Sequence, residues 1–116
     1  MPAASKSLIT TDPFARPEFV RPHPGEHLRE DYLEPLGMSA SELARRLGVP
    51  TNRITAILNE QRGITADTAW RLARFWNTTA GYWMGLQEGY DLSKAWIENG
   101  KRIEREVSPR EETKAA

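Results

Sequence analysis

Thr51, Asn52, Arg53, Thr55 and Ala56 fall within six consecutive residues, spaced so that one side of a helix would carry them. Their groups match what a base pair shows in the major groove. An Asn amide pairs bidentately with adenine, an Arg guanidinium with guanine, and a Thr or Ala methyl meets the thymine methyl. Ser39, Ser41, Asn59 and Arg62 flank that set. Short polar and basic side chains at the margin of a reading helix suit phosphate contacts, which fix register without reading sequence. Arg53 fits either task, guanine readout or phosphate contact.

A second pattern suggests different chemistry. His23-Pro24-Gly25-Glu26-His27 has the H-x-x-E-H form of inverted zinc peptidases. That chemistry needs both imidazoles on one face of a continuous helix and a third ligand. Pro24 and Gly25 mark a helix start instead. With two histidines and no cysteine in the chain, any further ligand would be a carboxylate. We therefore expect no metal, no cofactor and no catalytic residue, and place Glu26 in a first helical turn.

The elements around the candidate reading residues follow from local chemistry. Ser39 followed by Glu42 forms a capping box, and Leu43, Ala44 and Leu47 then share one face. Gly48 ends that helix, since Gly takes a left-handed conformation at little cost. Val49 plugs the gap, and Pro50 or Thr51 opens a second helix with Ile54, Ile57 and Leu58 inward. Ala44 is small enough for two helices to cross closely. A helix, a short turn and a second helix offered to the major groove make a helix-turn-helix.

The rest of the chain supports this unit. A first helix is expected from about Pro24 to Leu33, with Leu28 and Tyr32 on one face and Pro35 and Gly37 at its exit. Thr65 caps a helix with Ala69, Leu72, Ala73 and Trp76 inward, and Asp67 in its first turn complements the dipole. Thr79 caps a short helix carrying Tyr82, Trp83 and Leu86. Of the four tryptophans, Trp76 and Trp83 belong to the core rather than to base stacking, and Trp70 is expected to be half exposed.

Four zones result. Residues 1–22, with Pro2, Pro13, Pro17 and Pro22, read as a flexible arm. Residues 23–88 form the DNA-binding domain, 89–107 a C-terminal amphipathic helix, and 108–116 a disordered polar tail. In the C-terminal helix Leu92, Trp96, Ile103 and Val107 make an apolar stripe that needs a partner surface. A second copy, another protein or the domain itself would serve. The fold class is all-α, a five-helix lambda-repressor-like domain plus that C-terminal helix.

Charge and composition narrow the class. Sixteen basic and sixteen acidic residues cancel, so the chain is no general nucleic-acid coat protein. Between residues 41 and 62 four arginines stand against two glutamates, a local excess of two. That suits a weak monomer that gains affinity by pairing. The absence of cysteine, of a hydrophobic leader and of a run near the ~20 residues of a membrane span makes the cytoplasm the expected compartment.

His23-Pro24-Gly25-Glu26-His27-Leu28-Arg29-Glu30, Ser41-Glu42-Leu43-Ala44, Gly48-Val49 and Gly63-Ile64-Thr65 continue into Ala69, Leu72-Ala73, Thr79, Tyr82-Trp83, Leu86-Gln87 and Tyr90-Asp91-Leu92. Over residues 22–95 this series resembles the HigA-type antitoxins, a branch of the xenobiotic-response-element helix-turn-helix superfamily. The resemblance implies a homodimer that binds double-stranded operator DNA in its own promoter and represses transcription. It also implies a cognate partner, a RelE-like mRNA-cleaving toxin of the HigB type that is held inactive, with no enzymatic activity in the antitoxin itself. A stand-alone helix-turn-helix regulator is the alternative. One departure stands out. Family members commonly end the reading helix with Asn-Gly, whereas this chain has Asn59-Glu60. Either Asn59 takes the left-handed position itself, or the helix runs one residue longer, which would shift the Arg62 contact.

Overall fold

The computed structural model describes residues 16–111. Among these residues all regular structure is helical, in five segments. Helix α1 covers 24–36, α2 is Ala40–Leu47, α3 Thr51–Leu58, α4 Ala66–Trp76 and α5 Ala80–Glu106. The expected arm at 1–22 falls largely outside the described residues, as do the last five residues of the expected tail. Two compact units can be distinguished. One spans Arg21–Leu92; the other takes the described residues up to Val20 and from Ser93 onward.

The first unit holds the core. Leu28, Leu33, Leu43, Ala44, Leu47, Ile54, Ile57, Ile64, Ala69, Leu72, Ala73 and Trp83 are all buried. Ile54 and Ile57 are fully covered, each contributing about 1.5–3 kcal/mol relative to exposure. They fix which side of α3 faces inward and so which side faces out. Ala44 is 1% exposed. A larger side chain there would overpack the α2–α3 contact at about 1–3 kcal/mol. Trp83 fills the centre and donates its indole N–H to Thr78 Oγ1 at 2.8 Å, so its one polar group is satisfied.

Two expectations are corrected. Helix α1 runs three residues beyond Leu33, and Leu28–Leu33 adopts π-helical geometry. The widened turn stands before Pro35, whose ring would crowd the carbonyl four residues back in a regular α-helix. Gly37, at φ 63°, then ends the helix. Further along, the short helix after Thr79 and the C-terminal helix are one continuous element, Ala80–Glu106. Thr79 does cap it, its Oγ1 accepting from the Tyr82 N–H at 3.0 Å. Glycines recur within this helix. A Cβ on Gly100 would sit 2.7 Å from the Trp96 ring, and one on Gly89 3.3 Å from Arg21 Cδ. They admit close neighbours, and a helix tolerates each at about 1 kcal/mol.

Trp70 is 68% exposed, more than expected. Among the described residues no helix is long and apolar enough to cross a membrane.

Candidate DNA-reading surface

Helix α3 is held at both ends and from behind. At its entry, α2 stops at Gly48, φ 74°, and Val49 N–H bonds to Ala44 O at 3.0 Å. Pro50 is extended (ψ 147°) and Thr51 begins the helix. Ser39 caps α2, its Oγ accepting from Glu42 N–H at 3.1 Å. The last carbonyls of both helices lack intrahelical donors, and arginines from elsewhere supply them. Arg71 Nη1 donates to Leu47 O at 2.9 Å, and Arg29 Nη1 to Leu58 O at 2.8 Å.

From behind, α1 presses on the α3 backbone. A Cβ at Gly25 would collide with the Ile57 carbonyl. Only glycine allows this approach. His23 sets the start of α1, its Nδ1 accepting from Gly25 N–H at 2.9 Å while its ring packs edge-on against Tyr90. Burial holds the His23 imidazole below its usual range, the first cause, against weaker raising by Glu60 and Asp91. His23 thus serves as a helix cap. His27 lies between Tyr82 Oη on one nitrogen and Asp31 on the other, the latter at 2.6 Å. Burial is the main reason the Tyr82 hydroxyl is pushed up to about 12. Among the described residues no group of three potential ligands is placed to share a metal ion.

The outward side of α3 carries the sequence-predicted set. Thr51 and Asn52 are exposed, and Arg53, Thr55 and Ala56 are partly covered. Ser39, Ser41, Asn59 and Arg62 are all exposed around it. Thr55 Oγ1 turns back to Asn52 O at 3.3 Å. Arg53 does not extend freely. Its Nη1 lies 2.8 Å from Asp67 Oδ2, which also accepts from Arg71 Nε at 2.8 Å. The Arg71 bond first, then Arg53, holds the Asp67 carboxyl below the usual carboxylate range.

The end of α3 takes the longer of the two expected forms. Asn59 sits at φ −88°, and Glu60 takes the left-handed position at φ 61°. Its N–H bonds to Ile57 O at 3.0 Å, and Gln61 N–H to Ala56 O at 2.8 Å. The closing motif is thus kept one residue later, with a non-glycine residue at the strained point. The following turn is pinned by Gln87, whose Oε1 accepts from Ile64 N–H at 2.7 Å.

The stripe on α5 is uneven. Leu92, Ile103 and Val107 are 63%, 40% and 64% exposed. Trp96 is partly covered, with the Arg16 guanidinium 5.3 Å from its ring centre. Val107 lies just past the helix, its N–H reaching Ile103 O. Gly25, Arg29, Asp67, Arg71 and Gln87 are positioning residues that the sequence reading did not single out for this role. Gly25, Arg29 and Gln87 lie in the series that carries the family resemblance, and Asp67 and Arg71 stand at the i,i+4 spacing of a helical ion pair.

A helix-turn-helix family model matches residues 30–83. Virulence-associated protein I of Dichelobacter nodosus is 51% identical over 83 residues, 72% of this chain and 77% of that protein. An addiction-module antidote protein of the HigA family from Coxiella burnetii is 51% identical, with a TM-score of 0.75 over 79% of this chain and 100% of its own. Pseudomonas aeruginosa antitoxin HigA, solved with the higBA promoter, is 46% identical, with a TM-score of 0.74 over 76% of this chain and 96% of its own. The all-helical fold, the placement of α3 and these identities over nearly whole relatives lead to one assignment: the chain belongs to the HigA-type antitoxin family of helix-turn-helix proteins.

Proposed function

We propose that the protein is an antitoxin and autorepressor that binds operator DNA of its own operon as a homodimer. One observation carries the reading. Helix α3 is locked from behind by Ile54, Ile57 and the Gly25 contact, while Thr51 and Asn52 stand exposed at its start. The promoter-bound HigA relative supports it. In this reading Thr51, Asn52, Arg53, Thr55 and Ala56 meet base edges, and Ser39, Ser41, Asn59 and Arg62 hold phosphates. The modest local charge makes a single domain a weak binder. Two copies on a palindrome restore affinity, with half-sites one helical turn or a multiple apart. Leu92, Trp96, Ile103 and Val107 contribute contacts to the second copy or to a RelE-like toxin. The protein acts by binding rather than by catalysis, in the cytoplasm.

The test is a titration of promoter-length DNA from upstream of its own reading frame, beside a scrambled duplex at the same salt. Preferential binding in two symmetric half-sites is expected, and equal binding to both duplexes contradicts the reading. Co-expression with the neighbouring reading frame tests the toxin. Rescue of that frame's toxicity with co-purification supports the antitoxin role. Specific DNA binding without either outcome supports the stand-alone regulator.

A further inference from the structure

Helix α4 contributes to the reading surface through a carboxylate. We propose that Asp67 is a positioning residue that fixes the Arg53 guanidinium for guanine readout. This rests on the placement of α3 in the major groove. The bonds form a chain that ends on backbone. Leu47 O accepts from Arg71 Nη1 at 2.9 Å, Arg71 Nε donates to Asp67 Oδ2 at 2.8 Å, and the same oxygen accepts from Arg53 Nη1 at 2.8 Å. The Arg53 side chain is 25% exposed, against 57% for Asp67 and 41% for Arg71. The guanidinium is therefore held against α4 at the first turn of α3, where reading helices meet base edges.

Three physical consequences follow. An unrestrained Arg on a helix surface samples many rotamers, and a bound base must select one of them; a planar fork already fixed loses less freedom. Only Nη1 is spent on the carboxylate, and the fork retains donors for the O6 and N7 acceptors of one guanine. Two guanidinium groups around one carboxylate leave a net single positive charge, so Asp67 stands near phosphates without dominating the local field. The favoured ionisation of Asp67 agrees, since its two arginine partners hold the carboxyl below the usual range and keep it charged wherever DNA binding is measured. An isolated aspartate in the same place would only repel the duplex. Its value lies in directing Arg53.

The experiment measures binding of the full chain to its promoter duplex, to single base-pair substitutions across the half-site, and to scrambled DNA. The proteins are wild type, Arg53→Ala, Asp67→Ala and the double variant, each checked by thermal melting. Arg53→Ala is expected to flatten preference at one base pair by roughly 5- to 150-fold, the range of a bidentate contact. Asp67→Ala is expected to flatten the same base pair by at least about 5-fold, while binding to scrambled DNA holds or tightens as a negative charge is removed. In the Arg53→Ala background, Asp67→Ala is expected to change that preference no further. A merely structural role for Asp67 would weaken both duplexes equally and overturn the proposal. So would a sharpened preference in Asp67→Ala, because the carboxylate would then be withholding Arg53. An Arg53→Ala protein with full preference at every base pair also overturns it, while intact wild-type specificity leaves the DNA-binding reading standing. Wild type that does not distinguish promoter from scrambled duplex refutes that reading itself.

Discussion

Helix α3 and the later part of α5 both present side chains to solvent, but of opposite kinds. The exposed residues of α3 are Thr51 and Asn52, with Asn59 and Glu60 at its end. Those of α5 from Leu92 onward include Leu92 at 63%, Ile97 at 46% and Ile103 at 40%. A polar helix face placed by a packed core suits a partner read by hydrogen bonds. Exposed aliphatic residues suit a partner that removes them from water. The contrast extends to support. Helix α3 is restrained by Gly25, Arg29, Asp67 and the α2 turn. Specificity for DNA needs such restraint, because an adenine or guanine edge discriminates only against donors held in place.

The contrast is most sharply broken at Gly25. Gly25→Ala forces a methyl group into the Ile57 carbonyl. We expect a loss of about 3 kcal/mol or more in denaturant unfolding, with operator binding falling alongside. The same substitution at Gly85, where nothing lies within 4 Å, should instead raise stability by about 1 kcal/mol. If both changes behave alike, the close approach of α1 to α3 is not what restrains the reading helix.

On the other side of the contrast, Leu92→Asp with Ile103→Asp should leave the helical content of the single chain unchanged, since both side chains are exposed in it. The change should drive sedimentation towards monomer, and a two-half-site duplex should bind far more weakly while a single half-site is unaffected. A dimer that persists would remove α5 from the interface.

Smaller effects sharpen the account of α3 itself. Glu60 holds a left-handed conformation that costs a residue with a Cβ roughly 1–2 kcal/mol. Glu60→Gly should recover about 0.5–1 kcal/mol after the extra chain entropy of Gly, readable in chemical denaturation. His23 gives a pH signature. Its folded imidazole titrates below the ordinary 6.5, so the unfolded chain takes up the proton first as pH falls. The stability contribution is complete above 6.5 and declines below it, down to the folded value. Protonation at Nδ1 also ends its acceptance from Gly25 N–H. His23→Asn keeps a capping acceptor without the titration, and thermal melts from pH 7.5 to 5.5 should fall less steeply than in wild type.

These residues also show what a sequence can disclose. Ser39, Gly48, Thr65 and Thr79 were legible because caps and left-handed turns are short-range chemistry, fixed by a few neighbours. The inward residues of α2, α3 and α4 were legible from their spacing. At Glu60 the sequence left two endings open, because Asn59 also tolerates the left-handed position, and the turn geometry decides between them. The unbroken α5 was not, because Thr79 marks a start but no local signal marks its length, and Gly89 and Gly100 answer to a neighbour distant in sequence and a bulky ring one turn away. The Arg53–Asp67 pair joins residues fourteen apart on different helices, and only the fold brings them together. The reading residues on α3 were named from their chemistry, and the structure adds how one of them is held.

Helix α3 is proposed to read base edges. Its most direct test compares wild type and Asn52→Ala on the promoter duplex and on scrambled DNA at one fixed salt concentration. Wild type should prefer the promoter by roughly a thousandfold or more. Asn52→Ala should lose about 1–3 kcal/mol of that preference at a single base pair, with binding to scrambled DNA unchanged. Equal losses on both duplexes would contradict it, and would reduce α3 to a phosphate-contacting surface.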